Sequence, residues 1–197
     1  MRSTVAPWRA AVQRRVLNVP RSRVTLAGVA FRRGTVDDAA SLAAVLVEGF
    51  ETYREFAPPE WQPPAVADIA DGLVERLGRP QVWCMLAESE ARVAGYVAIQ
   101  PAADSRSPVD DPALAHFWML FVRSPWWGSG LAARLHADAC AAAASRGFAA
   151  MRLFTPAGQL RARRFYEREG WTLTQPPQFE PELGLTIVEY RKTLAPP

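Results

Sequence analysis

The sequence predicts one α/β domain built on a mixed sheet, and three patterns carry that expectation. A strand, a crossover helix and a second strand follow one another in "HFWMLFV", the run from Leu131 to Arg146, and "FAAMRLF". Such a βαβ unit makes its two strands parallel. Ahead of it, "QVWCMLAE" and "ARVAGYVAIQ" are separated only by "SE", which reads as an antiparallel hairpin. Stretches of helical periodicity lie on either side of these strands.

Taken in order, "GVAFRRGTVDD" is a short strand ending at a helix start, where Thr35 or Asp37 caps the apolar-periodic run "AASLAAVLVEGF". "ETYREFAPPEWQPP" breaks regular structure with its prolines and carries Tyr53, Phe56 and Trp61. A second helix covers "AVADIADGLVERLG", with Val66, Ile69, Leu73 and Leu77 at helical spacing. The polar, Pro-containing "PAADSRSPVDDP" is a loop, and the almost wholly apolar "HFWMLFV" reads as a strand covered on both faces. Gly147 stops the central helix. "QLRARRFYERE" is a further helix, ended by Gly170 ahead of the strand "WTLT". "QPPQFEPELG" is a loop, and "LGLTIVEYRKTL" supplies the last strand.

Residues 28–197 form the expected domain, and residues 1–27 an Arg-rich extension. Eight arginines, from Arg2 to Arg33, precede Asp37, the first acidic residue. Such a leader fits a nucleic-acid arm or a transit peptide. Lys192 is the only lysine, however, so arginine is a habit of the whole chain, and the net charge is only +3. No apolar run approaches the ~20 residues of a membrane span, and no secretory signal pattern is present. Cys84 and Cys140 fit neither a disulfide framework nor a metal site. A reducing, cytoplasmic setting is therefore expected.

The stretch "RSPWWGSGLAARLH" sets Trp126 and Trp127 against Gly128 and Gly130, between the apolar strand and the central helix. Glycine admits positive φ and lets a ligand approach the backbone. A helix N-terminus leaves amide groups unpaired and favours negative charge. Together they describe an anion site or, read blandly, a tight turn. A P-loop is excluded because its lysine is missing, and a dinucleotide fingerprint is poor because Ala133 stands at the third glycine. The tryptophans wall the turn against the sheet edge; stacking on a ligand is the alternative.

"LFVRSPWWGSGLAARL", "RGFAAMRLFT" and "RARRFYEREGW", in that order and spacing, resemble the GCN5-related N-acetyltransferase (GNAT) family. The family's Gln/Arg-x-x-Gly-x-Gly/Ala motif falls on Trp127, Gly128, Ser129, Gly130, Leu131 and Ala132. Leu120, Phe121 and Val122 match the end of the preceding strand. Phe165, Tyr166, Gly170 and Trp171 match the later aromatic signature. The resemblance runs from about residue 28 to 194 and is specific over 116–171. It implies a central, mostly antiparallel sheet with one parallel βαβ pair splayed to hold acyl-CoA. It also implies acetyl-CoA as co-substrate and a small-molecule or peptide amine as acceptor; a homodimer stays open.

Three positions depart from the family pattern. Trp127 stands where Gln or Arg is usual, Gln159 where Asn is common, and His116 where several members carry a glutamate base. Gln159 is still able to bond the pantetheine arm. An amine of pKa ~10.4 is about one part in a thousand neutral near pH 7, so a base is needed. His116 is the expected base, with Glu51 and Glu189 as alternatives. Tyr166 is the expected general acid toward the leaving thiolate, and an amide near Phe121 or Val122 meets the oxyanion. Of Arg161, Arg163 and Arg164, Arg163 is expected on the cofactor phosphates. Glu51, Tyr53 and Trp61 are expected at the acceptor. Glu55, Glu60, Glu180 and Glu182 lie in the same loops, a lining suited to a cationic amine with an apolar portion.

Three other function classes stay open on the residues. One is a non-catalytic acyl-CoA-binding module of the same fold. Another is a nucleic-acid binder acting through the Arg-rich leader. A dinucleotide-dependent oxidoreductase is the third, weakened by the single βαβ unit.

Overall fold

The computed structural model describes residues 25–195, so the Arg-rich extension lies outside the described residues except for its last three. In chain order the elements are β1 (Ala30–Arg33), α1 (Ala39–Glu51), α2 (Val66–Leu77), β2 (Trp83–Ser89), β3 (Arg92–Pro101), β4 (Leu114–Val122) and α3 (Leu131–Ser145). They continue with β5 (Ala150–Pro156), α4 (Leu160–Arg168), β6 (Thr172–Leu173), β7 (Gln178–Glu180) and β8 (Leu185–Thr193). One sheet takes the order β1-β2-β3-β4-β5-β8-β6, and β7 also pairs with β8. Its pairs are antiparallel except β4–β5, the parallel pair of the βαβ unit. The mixed, mostly antiparallel sheet agrees with the expected fold.

Alternation along β3 divides the core. Val97 and Ile99 join a cluster with Leu131, Leu135, Ala139 and Ala143 of α3, while Tyr96 and Ala98 join one with Leu42, Val45 and Leu46 of α1. On α3 the buried residues recur every fourth position, so the alanines form a thin stripe and the helix lies close to the sheet. On α2, Ile69 and Leu73 are buried but Val66, the first residue of the helix, is exposed.

Asp38 starts α1. Its carboxylate accepts the Thr35 N–H at 2.9 Å and both terminal nitrogens of Arg32, at 2.9 and 2.7 Å. The Arg32 guanidinium holds that carboxyl below its usual pKa range. The β2–β3 hairpin turns at Glu90 and Ala91, both at positive φ. The segment expected as a loop before the last strand contains β7, because Gln178–Glu180 find ladder partners on the free edge of β8.

Two features of β4 build the site. The β3–β4 register steps from Ala98↔Met119 to Ile99↔Phe117, so Trp118 is a bulge with no opposite residue. On its other edge β4 pairs with β5 only at Leu114, Ala115 and His116. Beyond His116 the two strands diverge, leaving that edge of β4 without a strand partner among the described residues.

Candidate active site

The gap between β4 and β5 opens into a cleft of about 610 Å³. Arg123 donates its N–H to Ala94 on β3 at 2.9 Å. Backbone groups alternate sides along a strand, so the polar groups of Val122 and Leu120 face away from β3 and into the cleft. The indole Nε1 of Trp127 donates to the Val122 carbonyl at 2.7 Å, which covers the acceptor at this edge, while the Val122 N–H has no acceptor among the described residues. Leu120, Phe121 and Val122, the strand-end residues expected to bind the cofactor, all line the cleft.

At the cleft's α3 end, Gly128 and Gly130 have φ of +83° and +91°, and a Cβ placed on either would meet no atom within 4 Å. Both lie in the left-handed region that glycine enters without strain. Among the described residues the amides of Gly128, Gly130, Ala132 and Ala133 have no hydrogen-bond acceptor, and the first bond of the helix is Arg134 N–H to Gly130 O. Gly128, Gly130, Leu131 and Ala132 line the cleft. Ser129 does not: its hydroxyl donates to Trp126 O at 2.7 Å and accepts from Leu131 N–H at 3.2 Å, stiffening the turn from behind. The result is a cradle of open amides at a 15-residue helix's positive end.

The two tryptophans take different parts. Both line the cleft, but Trp126 also packs against the α3-side core, whereas Trp127 is 42% exposed. The guanidinium carbon of Arg161 lies 3.6 Å from the Trp127 ring centroid. Arg161 also lines the cleft and has no hydrogen bond or ion pair among the described residues. Arg163, the arginine expected at the phosphates, lies elsewhere. Its Nε donates to the Tyr190 hydroxyl and its terminal nitrogen to Ala157 O, both at 3.1 Å. Gln159 lines the cleft, with Nε2 directed at Thr52 Oγ1 3.4 Å away.

Tyr166 lines the cleft with its ring held edge-on to Phe117 and Trp171. Burial raises its pKa, and its hydroxyl has no partner among the described residues, so it stays a phenol at neutral pH. His116 sits differently. It is 8% exposed, does not line the cleft, and belongs to a buried polar row across the sheet with Gln100 and Arg152. Arg152 donates to Ser105 Oγ at 2.6 Å and ties down the β3–β4 loop. Burial first, then the Arg152 charge, push the His116 pKa down to about 3.

The alternative bases are also off the cleft: Glu51 is exposed and paired with Arg54 at 2.6 Å, and Glu189 is buried and bonded to Arg191 at 2.6 Å. Glu55 is the single carboxylate among the cleft's lining residues.

At the expected acceptor end, Tyr53 lines the cleft but Glu51 and Trp61 do not. Trp61 is buried, and its Nε1 donates to Leu183 O at 2.7 Å, bracing the α1–α2 loop against the β7–β8 turn. Phe56 lies against Gly158, where a Cβ would come within 2.5 Å of its ring. Sequence reading set Glu55 among the acceptor-loop acids and Arg161 among three candidate arginines, but singled out neither. Both stood among several like charges, with no local signal to single them out.

An anion cradle, an exposed β4 edge and a buried phenol in one cleft between splayed parallel strands define an acyl-carrier-binding α/β fold. Residues 46–171, more than half of the chain, match the acetyltransferase (GNAT) family, and the chain belongs to that family. Compared with proteins of curated function, the sequence has no match. Among solved structures, a protein described as a GNAT-family acetyltransferase from Desulfovibrio desulfuricans is 22% identical with a TM-score of 0.64, over 85% of this chain and 99% of that one. The PaiA N-acetyltransferase of Thermoplasma acidophilum, in complex with coenzyme A, is 13% identical with a TM-score of 0.64, over 82% and 97%. The yncA structure from Salmonella typhimurium, with its cofactor acetyl-CoA, is 16% identical with a TM-score of 0.65, over 85% and 95%. No helix among the described residues is long and apolar enough to cross a membrane.

Proposed function

We propose that residues 28–197 form an acetyl-CoA-dependent N-acetyltransferase, moving an acetyl group to a primary amine of a small molecule or peptide by direct attack. The observation that carries this reading is the composition of the cleft wall. Open amides at Gly128, Gly130 and Ala132 suit a pyrophosphate, the free β4 edge suits the amide-bearing pantetheine arm, and the Tyr166 phenol suits a leaving thiolate.

When bound, acetyl-CoA supplies an activated thioester carbonyl and a thiolate leaving group. The Val122 N–H, directed into the cleft, faces the carbonyl oxygen as the amine nitrogen bonds to carbon. Tyr166 gives its proton to the sulfur as the carbon–sulfur bond breaks, then regains one from solvent. Arg161 on its Trp127 platform takes the phosphate role in place of Arg163. Gln159, at the N-terminus of α4, suits the pantetheine arm.

The base differs from the sequence expectation. His116 is buried beside Arg152 and does not line the cleft, so its imidazole is not placed to take a proton from an amine bound there. Glu55 takes the base's part, directly or through a water. The buried histidine also favours a second reading, a non-catalytic acyl-CoA-binding module. Thiol release from acetyl-CoA across an amine panel separates the two. Amine-dependent turnover that falls in Glu55→Gln supports the enzyme, whereas tight binding of acetyl-CoA with no turnover on any amine supports the module.

A further inference from the structure

We infer that the acceptor amine carries a carboxylate, and that Arg76 recognises it; this rests on the amine reading above. The cleft breaches the sheet, and on the α1–α2 side its wall includes Trp118, the bulge residue of β4, and Phe154. Arg76 of α2 lies over Trp118, its guanidinium carbon 4.6 Å from the ring centroid, at the margin of the cleft and not among its lining residues. The side chain is half-buried and makes no hydrogen bond or ion pair among the described residues.

The carboxylates nearby are already committed to other arginines. Glu75 is paired with Arg79 at 2.5 Å, Glu182 with Arg106, and Glu189 with Arg191. Arg106 and the buried Arg152 add further positive charge, and burial together with Arg106 and Arg79 depresses the Arg76 pKa. A partly desolvated guanidinium without acceptors is unfavourable, and a carboxylate is the group whose two oxygens match its fork. A purely cationic acceptor meets repulsion at this face. Of the acids expected from the loops, Glu55 lines the cleft, where it faces the amine, and Arg76 adds a surplus cation on the α1–α2 side. The shared chemistry is an amine with a carboxylate in reach, as in a free amino acid or a peptide with an acidic N-terminal residue.

The test compares L-amino acids with their α-amides, and the dipeptides Asp-Ala and Asn-Ala, by thiol release and by calorimetry with the CoA-saturated protein. At least one acid is expected to exceed its neutral partner by about 10-fold or more in kcat/KM and in affinity, as a charge-assisted pair implies. Preference confined to free amino acids assigns the α-carboxylate, and preference confined to Asp-Ala assigns a side-chain carboxylate. Arg76→Gln should bring each pair within about twofold while leaving acetyl-CoA affinity unchanged. If that variant does not fold, Arg76→Lys should keep part of the preference. Acids and neutral partners used equally, or a preference that survives Arg76→Gln, overturn the inference alone. No turnover on any amine with acetyl-CoA bound overturns the amine reading, and this inference with it.

Discussion

The guanidinium of Arg161 is stacked on the indole of Trp127, 3.6 Å from its centroid, so that α4 and the β4–α3 turn meet across the cleft. The indole is itself fixed by its bond to Val122 O. A cation is thereby held beside the amides of Gly128 and Gly130 by a residue with no charge of its own. Arg161→Ala and Trp127→Ala should each weaken acetyl-CoA binding about 10-fold, and the double variant little more than either alone. Calorimetry at two salt concentrations checks this, with a smaller salt dependence expected in all three variants. Additive losses would mean that the two residues act separately.

Tyr166→Phe removes a hydroxyl that bonds nothing among the described residues and keeps the ring contacts with Phe117 and Trp171. The melting temperature should therefore hardly move. The kcat should fall by ~10²–10⁴-fold, with acetyl-CoA affinity retained. A variant with near-normal kcat would remove Tyr166 from the chemistry.

Two buried histidines set an acid limit on stability. His116 is pushed down to about 3 and His136 to about 4, both chiefly by burial. An unfolded histidine takes up its proton near pH 6.5, which the folded forms refuse until much lower pH. Their contribution is complete above pH 6.5 and is lost as pH falls, at up to about 1.4 kcal/mol per pH unit for each residue. Urea unfolding midpoints should drop between pH 6.5 and 4.5, and His116→Gln should make that slope shallower. An unchanged slope would mean that the histidine is protonated in the fold.

The β2–β3 turn places Glu90 and Ala91 at φ of 51° and 58°, a conformation that glycine and asparagine adopt more readily. Ala91→Gly should stabilise the protein by roughly 0.5–1 kcal/mol, visible as a higher melting temperature with no change in acetyl-CoA binding. A lower melting temperature would show that chain entropy outweighs the relief of strain.

Much of the fold was legible because its signals are local. Periodicity in "HFWMLFV" and the α3 stripe, and the glycines at 128, 130, 147 and 170, each report on backbone within a few residues. The cleft wall was legible in the same way at Leu120 to Val122 and at Gly128, Gly130, Leu131 and Ala132, since a turn with open amides is built by adjacent residues. β7 was not, because a three-residue strand exists only through its ladder to β8.

By itself, the sequence determined the βαβ unit, the glycine cradle and the phenol at the end of α4, because each depends on short-range backbone geometry and spacing. The tertiary structure alone decided which charged side chains meet in the cleft. Arg161 and Arg163 are two positions apart, about 200° around a helix, so one reaches Trp127 and the other Tyr190. His116 and Phe117 are neighbours on β4, yet alternation sends Phe117 to the cleft wall and buries His116 beside Arg152. Facing is set by the partner surfaces, and those come from segments far apart in the chain.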